Sequence, residues 1–168
     1  MTAVATDSRA LRAVFGAFPT GVTAVAALVG GRPLGLAASS FTSVSLAPAL
    51  VSLCMATTSG TWSELRRAER LGISVLGAGH GSLCRQLAGP ADGRFTGVDW
   101  RATADGAVLL DGASAWFECA VDREIRAGDH DIVLLRVLDL HAEPAVDPLV
   151  FHASTFRSLA PGAPRPTP

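Results

Sequence analysis

Hydroxyl side chains are dense in one otherwise apolar stretch of this 168-residue chain. Residues 37–50 read AASSFTSVSLAPAL, and the positions within it that carry hydroxyls are Ser39, Ser40, Thr42, Ser43 and Ser45. Side chains alternate between the two faces of an extended strand, so Ser39, Phe41 and Ser43 would share one face. Small donors on such a face can bond the polar edge of a flat ring ligand beside an apolar wall. The other interpretation is structural, since hydroxyls on an edge strand also bond nearby backbone groups, and composition alone favours it.

Several kinds of catalytic group are missing from the chain. All 14 basic residues are arginine, which excludes Schiff-base chemistry on a lysine and also a P-loop. There is no tyrosine, so no phenol is available as an acid or base. The three cysteines, Cys54, Cys84 and Cys119, are too scattered for a disulfide framework, and no two have metal-ligand spacing. We therefore expect reduced thiols, no metal site and a cytoplasmic location.

Composition and charge limit the class of partner. Apolar residues make up 49% of the chain and charged residues 17%, a balance that suggests burial of apolar surface against a second subunit. The net charge is −1 and there is no basic stripe, so we expect no nucleic acid partner. The longest apolar runs have the length of strands, and the N-terminus lacks the pattern of a signal peptide. We therefore expect neither a membrane span nor export.

The first third of the chain predicts a helix followed by a hairpin. Asp7 can cap a helix that Pro19 ends. Its apolar residues recur at helical spacing and are expected to form one buried stripe: Leu11, Val14, Phe15 and Phe18. Next come a strand over 22–29, a turn at Gly30-Gly31 and a return strand that starts at Leu34 and continues through Ala37 to Leu46.

The rest of the chain predicts short helices and several more strands. Thr61-Trp62-Ser63-Glu64 fits a capping box, which would begin a helix that runs to about Arg70. Residues 49–55 and 73–76 are predicted strands, and residues 82–88 a short helix. Two long strands over 113–125 and 130–141, joined by residues 127–129, precede a last short strand over 149–152. Gly77 to Ser82 contains glycines spaced as in a dinucleotide-binding loop, but the third glycine is missing, so we interpret it as a turn.

These elements predict the fold class. About seven strands with hairpin links and two or three short helices do not alternate as β-α-β, which favours a mainly β fold over a parallel sheet. We expect an antiparallel β-barrel, closed or partly closed, in a single domain over residues 1–160. Residues 161–168 contain four prolines and are expected to be a disordered tail.

Motifs spread over residues 8–159 occur in a characteristic order. They are Phe18-Pro19-Thr20-Gly21-Val22, Ala38-Ser39-Ser40-Phe41-Thr42-Ser43-Val44-Ser45-Leu46 with Pro48, Ser59-Gly60-Thr61-Trp62, Arg94-Phe95-Thr96-Gly97, Gly112-Ala113 with Ala115-Trp116-Phe117-Glu118-Cys119, and Gly128-Asp129-His130. Together they resemble the flavin reductase family, which has the FMN-binding split-barrel fold. Its members are the small partners of two-component flavin monooxygenases. The serine-rich run and the Gly-Asp-His turn are the most specific of these motifs.

The resemblance implies a set of residues around a flavin. In the family the serine-rich strand lies along the isoalloxazine ring, and the strand and turn after it reach the ribityl phosphate. The cofactor-binding residues that it implies are Thr20, Ala38, Ser39, Ser40, Phe41, Cys54, Ser59, Thr61, Arg94 and Phe95. A helix beginning at Thr61 would also suit an anion on electrostatic grounds. For Arg94-Phe95 the alternative is a surface arginine beside a core phenylalanine.

The resemblance also implies contacts to a nicotinamide. These are Asp129, His130, His152 and Phe156, with His130 as the candidate catalytic residue. Asp129 would keep the imidazole oriented. The alternative for His130 is a solvated residue of a tight turn. After His152 the family usually has a glycine and a tyrosine, whereas this chain continues Ala153-Ser154-Thr155-Phe156-Arg157.

The activity that the resemblance implies is that of an NAD(P)H:flavin oxidoreductase. It would transfer a hydride from NADH or NADPH to FMN or FAD and supply reduced flavin to a monooxygenase by diffusion. The family completes its flavin site between two subunits, so the resemblance implies a homodimer. One alternative is a flavin- or haem-binding protein on the same barrel with a changed or non-redox activity. Another is a structural dimer with a vestigial pocket.

Overall fold

The computed structural model describes residues 7–160, so the tail expected over 161–168 lies outside the described residues. The helices are α1 (Ser8–Phe15), α2 (Gly60–Leu65) and α3 (Gly81–Leu87). The strands are β1 (Thr20–Gly21), β2 (Thr23–Val29), β3 (Arg32–Ala38), β4 (Thr42–Leu46), β5 (Ala49–Ala56), β6 (Leu71–Val75), β7 (Trp100–Ala102), β8 (Val108–Leu110), β9 (Ala115–Ala127), β10 (His130–Ala142), β11 (Val150–His152) and β12 (Thr155–Arg157). None of these helices is long and apolar enough to cross a membrane.

One antiparallel sheet of seven strands dominates the fold. Its strand order is β3-β2-β6-β9-β10-β5-β4, and β1, β11 and β12 form a smaller sheet beside it. The predicted hairpins are present: Gly30 and Gly31 have positive φ angles between β2 and β3, and residues 127–129 join β9 to β10. The prediction of a mainly β, split-barrel fold with short helices is confirmed.

The large sheet wraps around its own inner face. Val25, Leu53, Ile73, Cys119 and Val133 come from five adjacent strands, and each is completely buried. Burying side chains of this size contributes about 1.5–3 kcal/mol each, so this core holds the barrel together. Cys119 packs in this core, and burial raises the pKa of its thiol to about 12.

A second cluster fixes α3 against the end of the barrel. Leu87 of α3 is completely buried together with Leu76, Leu110 and other apolar residues. Phe151 and Phe156 of the small sheet pack against the same cluster. The cluster therefore positions α3 and the β11–β12 hairpin next to the start of β2 and the end of β3.

The return strand predicted from Leu34 to Leu46 is instead two strands at opposite edges of the sheet. Strand β3 ends at Ala38 and β4 begins at Thr42, so residues 39–41 cross the seam of the barrel. The pairing of β4 with β5 ends at Ser52, which leaves the edge of β5 open at Cys54. Ser40 covers that edge, because its Oγ accepts from the Cys54 amide at 2.8 Å and donates to the Cys54 carbonyl at 3.3 Å. The continuous alternation of faces predicted for this stretch was therefore wrong.

The two predicted N-terminal caps had different outcomes. Asp7 caps α1 by accepting a bond from the Arg9 amide at 2.9 Å, as predicted. For α2 the cap is Ser59, whose Oγ accepts from the Trp62 amide at 3.1 Å, and the helix ends at Leu65. The capping box at Thr61 was wrong, because Thr61 lies inside the first turn.

The apolar stripe of α1 is not buried within the chain. The helix ends at Phe15, and the side chains of Val14, Phe15 and Phe18 are 71%, 70% and 74% exposed. The spacing correctly predicts one apolar face, but nothing in residues 7–160 covers these three side chains. Their burial would require a surface other than residues 7–160.

The turn between β11 and β12 is strained, which leads to a stability prediction. Ala153 and Ser154 have φ angles of 47° and 60°, where a Cβ costs about 1–2 kcal/mol. Ser154→Gly should raise the free energy of unfolding by about 0.5–1 kcal/mol, measured by urea denaturation. Ser158→Gly is the matched control and should not stabilise, since it only adds freedom to the unfolded chain. If both substitutions change the free energy of unfolding equally, the backbone of Ser154 is not strained.

Candidate functional site

A groove runs past the end of β3. Two cavities of about 250 Å³ and 430 Å³ share four lining residues, Ala37, Ala38, Ser39 and Ala88, so the cavities are continuous. We call the smaller cavity the aromatic end, which is also lined by Val22, Cys84, Arg85, Phe151 and Phe156. We call the larger one the polar end, which is also lined by Leu36, Ser40, Cys54, Met55, Ala56, Ser59, Leu87 and His130.

The shared floor of the groove is made of small side chains. Ala37 and Ala38 end the edge strand β3, and Ser39 begins the crossing to β4. On the outer side of an edge strand, the backbone N–H and C=O groups do not pair with another strand. The floor is therefore flat and presents backbone groups and one hydroxyl, which suits a planar ligand better than a branched one.

Cys54 and Ser40 form one wall of the polar end. Cys54 is exposed. Its backbone is held by the Ser40 hydroxyl through the two bonds described above. Phe41 points away into the barrel, where its ring stacks on Phe117 at 5.4 Å between centroids. Ser40 and Phe41 therefore fix the crossing segment in place, while Ser39 is exposed in the groove.

His130 lies at the start of β10, where it pairs with Ala56 of the strand that carries Cys54. Its Nδ1 is 2.8 Å from Oδ1 of Asp129, and its side chain is 45% exposed. The hydrogen bond and then the charge of His130 lower the pKa of Asp129, so this carboxyl is ionised at neutral pH. A neutral imidazole that donates from Nδ1 leaves Nε2 as an acceptor. The pair can therefore present an oriented polar nitrogen to a ligand.

Arg94 does not line the polar end, but its hydrogen bonds connect three segments around it. Its Nη1 donates to the Gly35 carbonyl of β3 at 2.9 Å and to Thr61 Oγ1 of α2 at 3.0 Å, and its Nε donates to the Gly89 carbonyl at 2.9 Å. Phe95 packs in the second core cluster, close against Gly35. Arg94 is half-buried and fully engaged with the protein, so it is not the surface arginine of the structural alternative, while Phe95 packs in the core as that alternative expects.

Thr20 carries an orphaned polar atom. Its Oγ1 is the one buried side-chain oxygen in the described part of the chain without a hydrogen-bond partner. Leaving a buried hydroxyl unpaired costs about 1–3 kcal/mol. Thr20 pairs with Phe151, which lines the aromatic end. Thr20 itself lines neither cavity, so its hydroxyl lies behind the wall that Phe151 forms.

The residues implied for a nicotinamide are spread out rather than gathered. His130 lines the polar end and Phe156 the aromatic end. His152 pairs with Thr155 in the β11–β12 hairpin and lines neither cavity. Asp129 touches His130 but is 94% exposed at its side chain. Within one protomer these four residues do not form a single subsite.

Sequence reasoning missed the contribution of α3. Arg85 and Ala88 lie three residues apart and both face the groove. The guanidinium of Arg85 lies 5.4 Å from the centroid of the Phe156 ring. The helix was predicted, but only the position of β3 beneath it shows which face lines the groove.

The arrangement can hold one flat group against small side chains and leave the other face of that group open to a second. Its polar groups are hydroxyls, one imidazole and one guanidinium. The single titratable dyad is Asp129 with His130. Such a site is suited to a reaction in which bound molecules carry the chemistry and the protein orients them.

Comparison with known proteins identifies one family. Residues 15–160 match the flavin reductase like domain. A probable flavin reductase of Rhizobium meliloti is 45% identical over 138 residues, which cover 82% of this chain and 44% of that protein. The reductase subunit HsaB of a flavin-dependent monooxygenase from Rhodococcus jostii is 32% identical over 100% of this chain and 86% of its own.

A solved structure agrees with this match. An NADH:FAD oxidoreductase of Streptomyces globisporus, in complex with NAD and FAD fragments, superposes with a TM-score of 0.88 at 40% identity, covering 94% of this chain and 96% of its own. The chain spans about half the length of the Rhizobium meliloti relatives that it matches, 44% and 57%.

Proposed function

The chain belongs to the flavin reductase family, and from this membership we propose that it is an NAD(P)H:flavin oxidoreductase that binds FMN or FAD in the groove past β3. The observation that carries the proposal is the continuous groove over Ala37, Ala38 and Ser39, flanked by a polar and an aromatic end. The flavin and the dihydronicotinamide supply the redox chemistry, which is the transfer of a hydride from one to the other. The chain has to bind both, align them and keep water away.

The floor of the groove fits the isoalloxazine ring. Ala38 and Ser39 leave room for a flat ring against the end of β3, and Ser39 adds a hydroxyl at its edge. Ser40 acts indirectly, because its hydroxyl is bonded to the Cys54 backbone. Phe41 anchors the segment by stacking on Phe117. We assign ring contact to Ala38 and Ser39, and positioning to Ser40 and Phe41.

The polar end fits the ribityl phosphate. Ser59 lines it directly, and Cys54 lies on the same wall. Arg94 brings a positive charge to 3.0 Å from Oγ1 of Thr61, which is two residues after Ser59 in the chain. In this proposal Ser59 contacts the phosphate chain, while Thr61 and Arg94 hold α2 against β3. Phe95 supports Arg94 from the core.

The remaining assigned residues orient the nicotinamide. His130 can bond a carboxamide through Nε2, because Nδ1 faces Asp129. Phe156 supplies an apolar wall at the aromatic end. Thr20, which the resemblance implies as a flavin contact, lines neither cavity and pairs with Phe151 of that wall. His152 holds the β11–β12 hairpin through its pairing with Thr155. No proton transfer by the protein is needed for this alignment.

Consumption of dihydronicotinamide upon adding free flavin tests the proposal. The purified protein should oxidise NADH or NADPH when FMN or FAD is present, and not when both flavins are omitted. A protein that binds flavin or haem without consuming dihydronicotinamide would instead be the non-redox alternative. A protein that binds no flavin on titration would correspond to a structural dimer with a vestigial pocket.

We propose that the protein is a homodimer. Leu46 is 97% exposed and Phe18 is 74% exposed, and large apolar side chains left exposed in one protomer can be buried against a second copy. The nicotinamide residues are also scattered within one protomer, so a second copy could complete the subsite. Sedimentation at micromolar concentration should give the mass of a dimer. A monomer under these conditions would contradict the prediction.

The partner and the location follow from the same proposal. Reduced flavin would leave the groove and reach a flavin-dependent monooxygenase by diffusion, as the match to a monooxygenase reductase subunit supports.

A cytoplasmic location is supported by the three free cysteines, one of them exposed, since thiols persist in a reducing compartment.

A further inference from the structure

Arg85 is held flat against the wall of the aromatic end. Its guanidinium lies 5.4 Å from the centroid of the Phe156 ring, within the range of a cation–π contact. The Phe156 ring in turn packs on Phe151 at 5.5 Å. The two rings restrict the arginine side chain, so its planar fork of donors has a defined orientation at the cavity.

The positive charge of Arg85 has no counterion in the described part of the chain. None of the ion pairs found within residues 7–160 includes Arg85. The other residues lining the aromatic end carry no charge. Burial raises the pKa of the neighbouring Cys84 thiol, an effect that Arg85 only opposes, so Cys84 supplies no thiolate. The aromatic end therefore has one cation, Arg85, without an ion-pair partner, and its other lining residues are uncharged.

We propose that Arg85 binds the diphosphate of the nicotinamide dinucleotide, an inference that rests on the proposed flavin reductase function. A guanidinium binds phosphate oxygens in bidentate fashion. Only one ribose separates the nicotinamide ring from the diphosphate, and Arg85 shares its cavity with Ser39, where the rings would stack. The flavin phosphate is assigned to Ser59, which lines the other cavity. Arg85 is therefore placed to hold NADH rather than the flavin.

Steady-state kinetics of Arg85→Gln test this role. The KM for NADH should rise about tenfold through loss of the charge-assisted bonds, while kcat changes much less. The Kd for FMN and for FAD should stay as in the wild type. Arg85→Lys should have a smaller effect on KM, because it keeps the charge but not the planar fork. Arg32→Gln is the matched control: this exposed arginine lies at the opposite end of β3 and should leave KM unchanged.

A binding measurement without catalysis separates the possible failures. ADP-ribose has the diphosphate but no nicotinamide, and calorimetry should show about tenfold weaker binding to Arg85→Gln than to the wild type. An unchanged KM and unchanged ADP-ribose affinity would overturn the inference. A second result would also overturn it: Arg85→Gln that binds FAD more weakly but keeps its affinity for FMN and its KM for NADH. That result would assign Arg85 to the diphosphate of FAD. A wild-type protein that does not oxidise NADH would overturn the proposed function itself.

Discussion

Replacing Ser39 by leucine is expected to weaken flavin binding about a hundredfold while leaving the fold intact. Ser39 is exposed and lines both cavities of the groove, so a branched side chain there would occupy the space of the ring. Forcing extra carbons into a fitted contact costs about 1–3 kcal/mol, and a hundredfold loss corresponds to about 3 kcal/mol. Quenching of flavin fluorescence on titration with protein measures the Kd.

The control for this substitution is Ser43→Leu. Ser43 is an exposed serine in β4 that lines neither cavity, so its Kd for flavin should match the wild type. Equal affinities of Ser39→Leu and the wild type would show that the serine-rich segment has only a structural role. Ser40→Leu is a poorer probe, because it also removes both bonds to Cys54 and should destabilise the protein by about 1–3 kcal/mol.

His130→Ala should lower kcat/KM for the dihydronicotinamide by roughly ten- to a hundredfold. The loss of one or two hydrogen bonds costs about 1–3 kcal/mol, and it can raise KM, lower kcat, or both. The Kd for flavin should change much less, since the flavin rests mainly on Ala38 and Ser39. Steady-state rates at saturating flavin, with NADH varied, measure the effect.

His141→Ala is the matched control for His130. His141 is an exposed histidine that stacks on Trp116, and it lies outside the groove. Its removal should leave the constants for NADH unchanged. If His130→Ala also has wild-type constants, His130 is a residue of the turn and does not contact the nicotinamide.

Local patterns in the sequence predicted the elements that depend on nearby residues. The β9–β10 hairpin could be found because both strands and their turn at residues 127–129 are continuous in the chain. Gly30-Gly31 indicated the turn between β2 and β3, because the two adjacent residues of such a turn need positive φ angles. The cap of α2 was misassigned to Thr61 because Ser59 offers the same hydroxyl two residues earlier.

Features that depend on distant residues could not be predicted. Residues 39–41 cross the barrel seam because Ser40 covers the open edge of β5, fourteen residues later at Cys54. The apolar face of α1 looked like a core stripe, but spacing cannot show whether the surface that covers it belongs to the same chain. No sequence motif includes Arg85, and its contact with the Phe156 ring depends on the fold.

The candidate site was therefore predicted in part. The resemblance to the family indicated Ala38, Ser39, Ser59 and His130, and the structure places all four on one groove. It also indicated Arg94 and Phe95, which the structure places outside the groove, in contact with backbone and core. A family motif marks residues that act together, and packing decides which of them face the ligand.

Anaerobic mixing of the flavin-loaded protein with NADH tests the central claim most directly. If the groove aligns dihydronicotinamide with flavin, the absorbance of the oxidised flavin should be lost in a single turnover, with one NADH consumed for each flavin. The same mixture of flavin and NADH without protein should react far more slowly. Flavin that binds to the protein and yet keeps its absorbance on addition of NADH or NADPH would contradict the account.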